Sequence, residues 1–168
     1  MTPALVIDTN VLEHALDPAR NSDGHLERLL RKFSEQRRKL CVDRVAPNGG
    51  SRIIAEYKHR LESRLRGMDE QGQIIQWLRY LMDYAERVET TVNLADRLGK
   101  LIVPQMNRVL AERSDHRFVY VACALNSVMV SNNARHVTDI RSGLRRAARK
   151  VGSNSTDFLS SLQAEVTM

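Results

Sequence analysis

An α/β fold with a mostly parallel central sheet, covered by helices on both faces, is predicted by three features of the chain. Short apolar runs (residues 4–7, 40–42 and 128–130) alternate with longer segments of helical periodicity. The first run is apolar at every position, the mark of a strand buried on both faces. The first and last runs both end in polar turns, Asp8-Thr9-Asn10 and Ser131-Asn132-Asn133. Such turns lie at the carboxyl ends of strands, where open α/β sheets gather their functional groups.

The elements follow in order. The opening strand feeds a short helix over 12–16, stopped by Asp17-Pro18, with Thr9 and Asn10 as good N-cap residues. Ser22 is expected to cap a second helix that carries Leu26, Leu29, Leu30 and Phe33 at helical spacing and ends in Arg37-Arg38-Lys39. Leu40 to Asp43 is the second strand, and Arg44 to Gly50 is the clearest loop. Ser51 caps a third helix with Ile54, Tyr57, Leu61 and Leu65 on its apolar stripe. After a break from Gly67 to Gly72, a fourth helix places Ile74, Trp77, Leu78, Leu81, Ala85 and Val88 on one face. Thr90 to Leu94 is expected as a third strand. The segment 95–112 is helical in pattern, but Pro104 should start a new helix or kink the old one. Ser114-Asp115 opens a helix with Phe118, Val119, Ala122 and Leu125 inward, and Val128 to Val130 is the final strand. No repeat, linker or low-complexity tract divides the chain, so residues 1–168 read as a single domain. Its tail, about 152–168, reads as a loosely attached last helix around Phe158, Leu159 and Leu162.

The totals bound the function. A chain of 168 residues can bury a substantial core, and 42% hydrophobic with 27% charged residues is ordinary for a soluble globular protein. Twenty-six Lys and Arg against 20 acids give a net charge of +6, which points to a polyanionic partner. Nucleic acid is favoured over membrane, because no basic amphipathic segment stands out. Cys41 and Cys123 sit in apolar stretches and read as small buried hydrophobes, with no zinc spacing and no disulfide scaffold. Neither a signal peptide nor a membrane span is evident, so a cytoplasmic, reducing setting is expected.

Four polar positions stand out: Asp8 at the first strand's end, Glu56 beside the third helix's stripe, Asp115 at a helix start, and Asn133 after the last strand. Each has a plain structural use when taken singly. Asp8 can be a cap, Glu56 can pair with Arg60 one turn on, Asp115 suits a helix N-terminus, and Asn133 suits a turn. Together they carry a resemblance to the PIN-domain ribonucleases, in the stretches Leu5-Val6-Ile7-Asp8-Thr9-Asn10-Val11-Leu12, Ile54-Ala55-Glu56-Tyr57, Asp115-His116-Arg117-Phe118 and Val130-Ser131-Asn132-Asn133-Ala134-Arg135-His136. The resemblance covers most of the chain in order and length. The last stretch is most similar to the VapC-type toxins of toxin–antitoxin systems.

The resemblance implies a PIN-like three-layer α/β/α fold and a metal-dependent endoribonuclease. Hydrolysing a phosphodiester needs charge neutralisation and a hydroxide nucleophile near neutral pH, and divalent metals supply both. Hard Mg²⁺ or Mn²⁺ prefers oxygen ligands, hence clustered carboxylates. Asp8, Glu56 and Asp115 are the implied metal holders, directly or through water. Asn133 assists with its amide oxygen, and Thr9, Asn10 and Ser131 are supporting residues. Many PIN nucleases carry an acid at the position of Asn133; the neutral amide lowers the charge of the site, with Asp139 as a compensating carboxylate. Asp43 is a further spare carboxylate.

Arg135, Arg141, Arg145, Arg146 and Arg149 form an expected RNA-binding cluster, joined by basic residues of the second and third helices. With one Trp, four Tyr and three Phe there is little material for base stacking, so backbone and shape recognition of structured RNA is expected. The family likeness further implies a small antitoxin partner and a homodimer. The stripe from Ile74 to Val88 is the candidate surface for either, with core as its first use. The five histidines, His14, His25, His59, His116 and His136, form no metal-binding pair and read as surface or loop residues. Two alternatives stand beside the toxin: a PIN-fold protein that binds RNA or a partner without cutting, and a non-toxin PIN nuclease in RNA processing or DNA cleavage. A site for a small phosphorylated ligand is weaker, since Asn48-Gly49-Gly50-Ser51 lacks the P-loop lysine.

Overall fold

Five parallel strands form one sheet among the residues that the computed structural model describes, namely 4–44, 50–66, 73–108, 113–133 and 157–159. The elements are β1 (Leu5–Ile7), α1 (Thr9–Ala15), α2 (His25–Glu35), β2 (Leu40–Arg44), α3 (Arg52–Leu65), α4 (Gln73–Arg79) continued by a π-helical turn (Tyr80–Tyr84), β3 (Arg87–Thr91), α5 (Arg97–Arg108), α6 (Arg113–Ala124), β4 (Val128–Val130) and β5 (Asp157–Leu159). The strand order is β3-β2-β1-β4-β5, with every neighbour parallel. Helices α6, on β1, β2 and β4, and α3, on β2 and against α1, complete a three-layer α/β/α architecture.

The middle of the sheet is fully covered. β1 and residues 40–43 of β2 are buried at every position, as the unbroken apolar runs predict. β3, at the sheet edge, alternates exposed and half-buried residues. Helix α6 is buried at His116 and from Phe118 through Cys123, because the sheet lies under it and α5 packs against it. Cys41 and Cys123 are both buried, as expected. No helix among the described residues is long and apolar enough to cross a membrane.

Local chemistry moves several boundaries. Asp8, rather than Thr9 or Asn10, caps α1: its backbone is extended and its carboxylate accepts from Asn10 N, so the helix starts at Thr9. Ser22 does not cap α2. Gly24 occupies the N-cap in the left-handed region at φ 66°, while Asn21 Oδ1 and Asp23 Oδ1 accept from the amides of Leu26 and His25. The apolar stripe expected to run from Ile74 to Val88 does not belong to one helix. The helix ends in a π-helical turn, and Val88 lies in β3. Of its residues Leu78, Leu81 and Ala85 are buried and Trp77 and Val88 pack partly buried against the core, so these serve the core. The third strand therefore runs over 87–91 instead of 90–94. Beyond it Asn93 forms a turn, its side-chain oxygen accepting from Ala95 N and its carbonyl from Asp96 N.

Pro104 neither starts nor ends a helix; α5 runs through it. Pro104 and Lys100 are both exposed, so water can serve the Lys100 carbonyl that a proline leaves without its usual donor. The tail residues 157–159 form a strand on β4, where a helix was expected, because the β4 edge offers unpaired backbone groups. The expected break at 67–72 and most of the Arg44–Gly50 loop lie outside the described residues.

Candidate functional site

The strand order reverses beside β1. The chain steps outward from β1 to β2 to β3, then returns to place β4 on the other side of β1. The crevice above the carboxyl ends of β1 and β4 is thus the topological switch point of the sheet, where open α/β folds bind ligands. Both polar turns singled out from the sequence meet there.

They are locked to each other. Asp8 N donates to Val130 O at 2.9 Å, and Asp8 Oδ2 accepts from Ser131 Oγ at 2.6 Å and Asn10 Nδ2 at 3.0 Å. Ser131 Oγ accepts in turn from Asn133 N at 3.0 Å, and Asn10 Oδ1 accepts from Asn132 N at 3.0 Å. Asp8, Thr9 and Ser131 are buried, at 5%, 5% and 0% exposure. A carboxylate so deep needs hydrogen-bond donors around it, and Ser131 and Asn10 supply them.

Helix α3 delivers Glu56 to the same crevice. Ser51 caps that helix as predicted, accepting from Ile54 N at 3.1 Å, and Glu56 sits one turn into it. Its Oε1 accepts from Thr9 Oγ1 at 2.7 Å, so Thr9 ties α3 to the end of β1. Tyr57 anchors the next position from below: fully buried, its hydroxyl donates to Ile7 O. Burial holds the Glu56 carboxyl above its ordinary range, and the charges of Asp8 and Asp115 push it further up against the Thr9 hydrogen bond. Arg60 opposes this as the least of these influences. Asp115 comes from the first turn of α6, half-buried, where a negative charge suits the helix N-terminus.

The predicted residues therefore divide. Asp8, Thr9, Asn10, Ser131 and Glu56 are joined by hydrogen bonds, Asp115 acts on Glu56 through its charge, and Asn133 joins through its backbone amide. Asp139, Arg135, Arg141, Arg145, Arg146 and Arg149 lie outside the described residues. Asp43 is not a spare carboxylate: it is fully buried and engaged with Ser51, Ile53 N and Arg117. His116 is buried in α6, not a surface residue. His14, also expected at the surface, is half-buried at the rim of the crevice; its Nδ1 lies 3.1 Å from Asn132 Nδ2, and Arg20 reaches its Nε2. Burial and the nearby Arg20 lower its proton affinity. The spacing from Asn10 to His14, one helical turn, is the signal that places both on one face.

Comparison of the chain with protein-family models, with curated proteins and with solved structures returned no match. The site must be read from its own chemistry. Asp8 and Glu56 stand at the same crevice, and Asp115 is near enough for its charge to add to the effect of burial on the Glu56 carboxyl. That donor set fits a hard divalent cation that keeps part of its water shell. It does not form a tight cage: among the described residues no group of three or more His, Cys, Asp or Glu is close enough to hold a metal ion by itself.

Proposed function

We propose that this chain is a metal-dependent endoribonuclease of the PIN type, cutting structured RNA in the cytoplasm. The observation that supports this reading is the placing of Asp8, and of Glu56 held by Thr9, at the switch point of a parallel sheet where two polar turns hydrogen-bond each other, with Asp115 near enough to act on Glu56 through its charge. The net charge of +6 supports a polyanionic substrate despite the acidic crevice.

Asp8, Glu56 and Asp115 would hold Mg²⁺ or Mn²⁺, in part through water, with Asn133 assisting. A divalent ion held by these residues would supply a hydroxide nucleophile near neutral pH and charge neutralisation at the phosphoryl oxygens. The protein does the rest. Ser131 and Asn10 fix the Asp8 carboxylate, and Thr9 fixes that of Glu56, so the donors are oriented before substrate arrives. A toxin function, with a small antitoxin protein blocking the crevice and a homodimeric assembly, extends the proposal along the VapC-like ending.

A second reading, RNA binding without cleavage, draws on the neutral Asn133 and on the lack of a ready three-ligand cluster among the described residues. One experiment separates the two. Purified protein and Asp8→Ala are incubated with a mixed tRNA and rRNA pool in Mg²⁺, Mn²⁺ or EDTA. The nuclease proposal expects cleavage in either metal, none in EDTA, and loss in the variant with RNA binding kept. Equal inertness of both proteins, with RNA still bound, replaces the enzyme by the binding module.

A further inference from the structure

Asp43, the last but one residue of β2, has no exposed surface. Its Oδ1 accepts from Ser51 Oγ and Ile53 N, both at 2.9 Å, which fixes the first turn of α3. Its Oδ2 accepts from Arg117 of α6, whose side chain is 20% exposed. One carboxylate thus grips the two helices that carry Glu56 and Asp115. Glu56 lies three residues beyond the amide that Asp43 caps, and Asp115 lies two residues before the arginine it pairs.

Energetics make a purely stabilising use of this pair a poor account. A buried ion pair loses hydration that its attraction only partly returns, and apolar residues of similar volume often do as well or better. What an apolar pair cannot supply is direction. The carboxylate and the guanidinium both have fixed planar geometry, so the pair sets position and angle as well as contact. Arg117 also neutralises Asp43, so the strut adds no net charge to a crevice already crowded with carboxylates.

Resting on the nuclease reading above, we infer that Asp43 and Arg117 are positioning residues that set the separation of Glu56 and Asp115 and thereby the cation affinity of the site. The pair touches neither substrate nor metal; it acts through the helices.

The test uses the full chain, stripped of metal, with Mn²⁺ affinity measured calorimetrically and RNA cleavage kinetics measured alongside. Asp43→Asn keeps an acceptor for the α3 cap but loses the charge facing Arg117; it should weaken Mn²⁺ binding by about tenfold or more. It should lower kcat while leaving KM for RNA unchanged. Arg117→Gln should do the same, and Arg117→Lys, which keeps the charge, should recover most of the loss. Should a single variant with one unpaired buried charge fail to fold, the double variant Asp43→Asn/Arg117→Gln leaves none unpaired, and its Mn²⁺ affinity and kcat decide. Folded variants that melt lower but bind Mn²⁺ and cleave as the wild type does would overturn the positioning role while leaving the nuclease intact. A wild type that binds no Mn²⁺ and cuts nothing overturns both.

Discussion

Ser131 shows how much one small side chain can carry. Its hydroxyl donates to Asp8 and accepts from Asn133 N, and it has no exposed surface. Ser131→Ala removes the bond to the buried Asp8 carboxylate and the one from Asn133 N, which should cost about 1–3 kcal/mol in chemical denaturation. Glu56 makes a prediction of opposite sign. Its carboxyl titrates above the ordinary glutamate value of 4.5 in the folded protein, so the folded state holds more protons than the unfolded one across that window. The associated stability is complete below the window and is lost as pH rises through it. Without metal, Glu56→Gln should therefore gain in melting temperature over the wild type as pH is raised from about 4.5 toward neutrality. Added Mn²⁺ should narrow that gap, because the cation stabilises only the protein that keeps the carboxylate. A gap that does not change with pH would show that Glu56 does not feel its neighbours.

At the scale of elements, close approach decides what the chain tolerates. Gly99 lets the turn at Leu94 lie against the start of α5: a Cβ there would sit 2.4 Å from the Leu94 backbone. Asp96 secures the same corner, accepting from Gly99 N at 2.7 Å and from the Tyr120 hydroxyl of α6 at 2.6 Å. Gly99→Ala should thus cost about 1–3 kcal/mol and lower the melting temperature without touching the crevice. This corner was not legible in the sequence, since a lone glycine five residues after Leu94 does not announce that the turn folds back against it. The same limit explains the misplaced third strand: Val88 continues the helical period of Leu81 and Ala85, and only the π-helical turn at Tyr80–Tyr84 takes it out of step. By contrast β1, α3 and β4 were legible, because their apolar runs and the Ser51 cap are local signals that tertiary packing did not overrule.

For the whole molecule, the legible part of the site was the part written at strand ends. Asp8, Ser131 and their neighbours follow from polar turns closing apolar runs, and the sheet order then brings them together. Asp43 was misread because its role is set by Arg117, which lies 74 residues away and has no local signature. The excess of basic residues acts at this scale too. If RNA is held by its backbone, each phosphate neutralised should lower affinity about threefold between roughly 50 and 200 mM salt, and filter binding across that range counts the contacts. Affinity indifferent to salt would remove RNA backbone from the proposal.

The two cysteines give the core a clock. Cys41 in β2 and Cys123 in α6 have no exposed surface, and burial pushes the Cys41 thiol up to about 11. Neither can meet a thiol reagent while the fold is closed, so each labelling event records an opening. Followed one thiol at a time in dilute reagent, equal rates would mean that sheet and helix open as one cooperative body. Unequal rates would divide the molecule into parts that come apart separately, and would say which one lets go first.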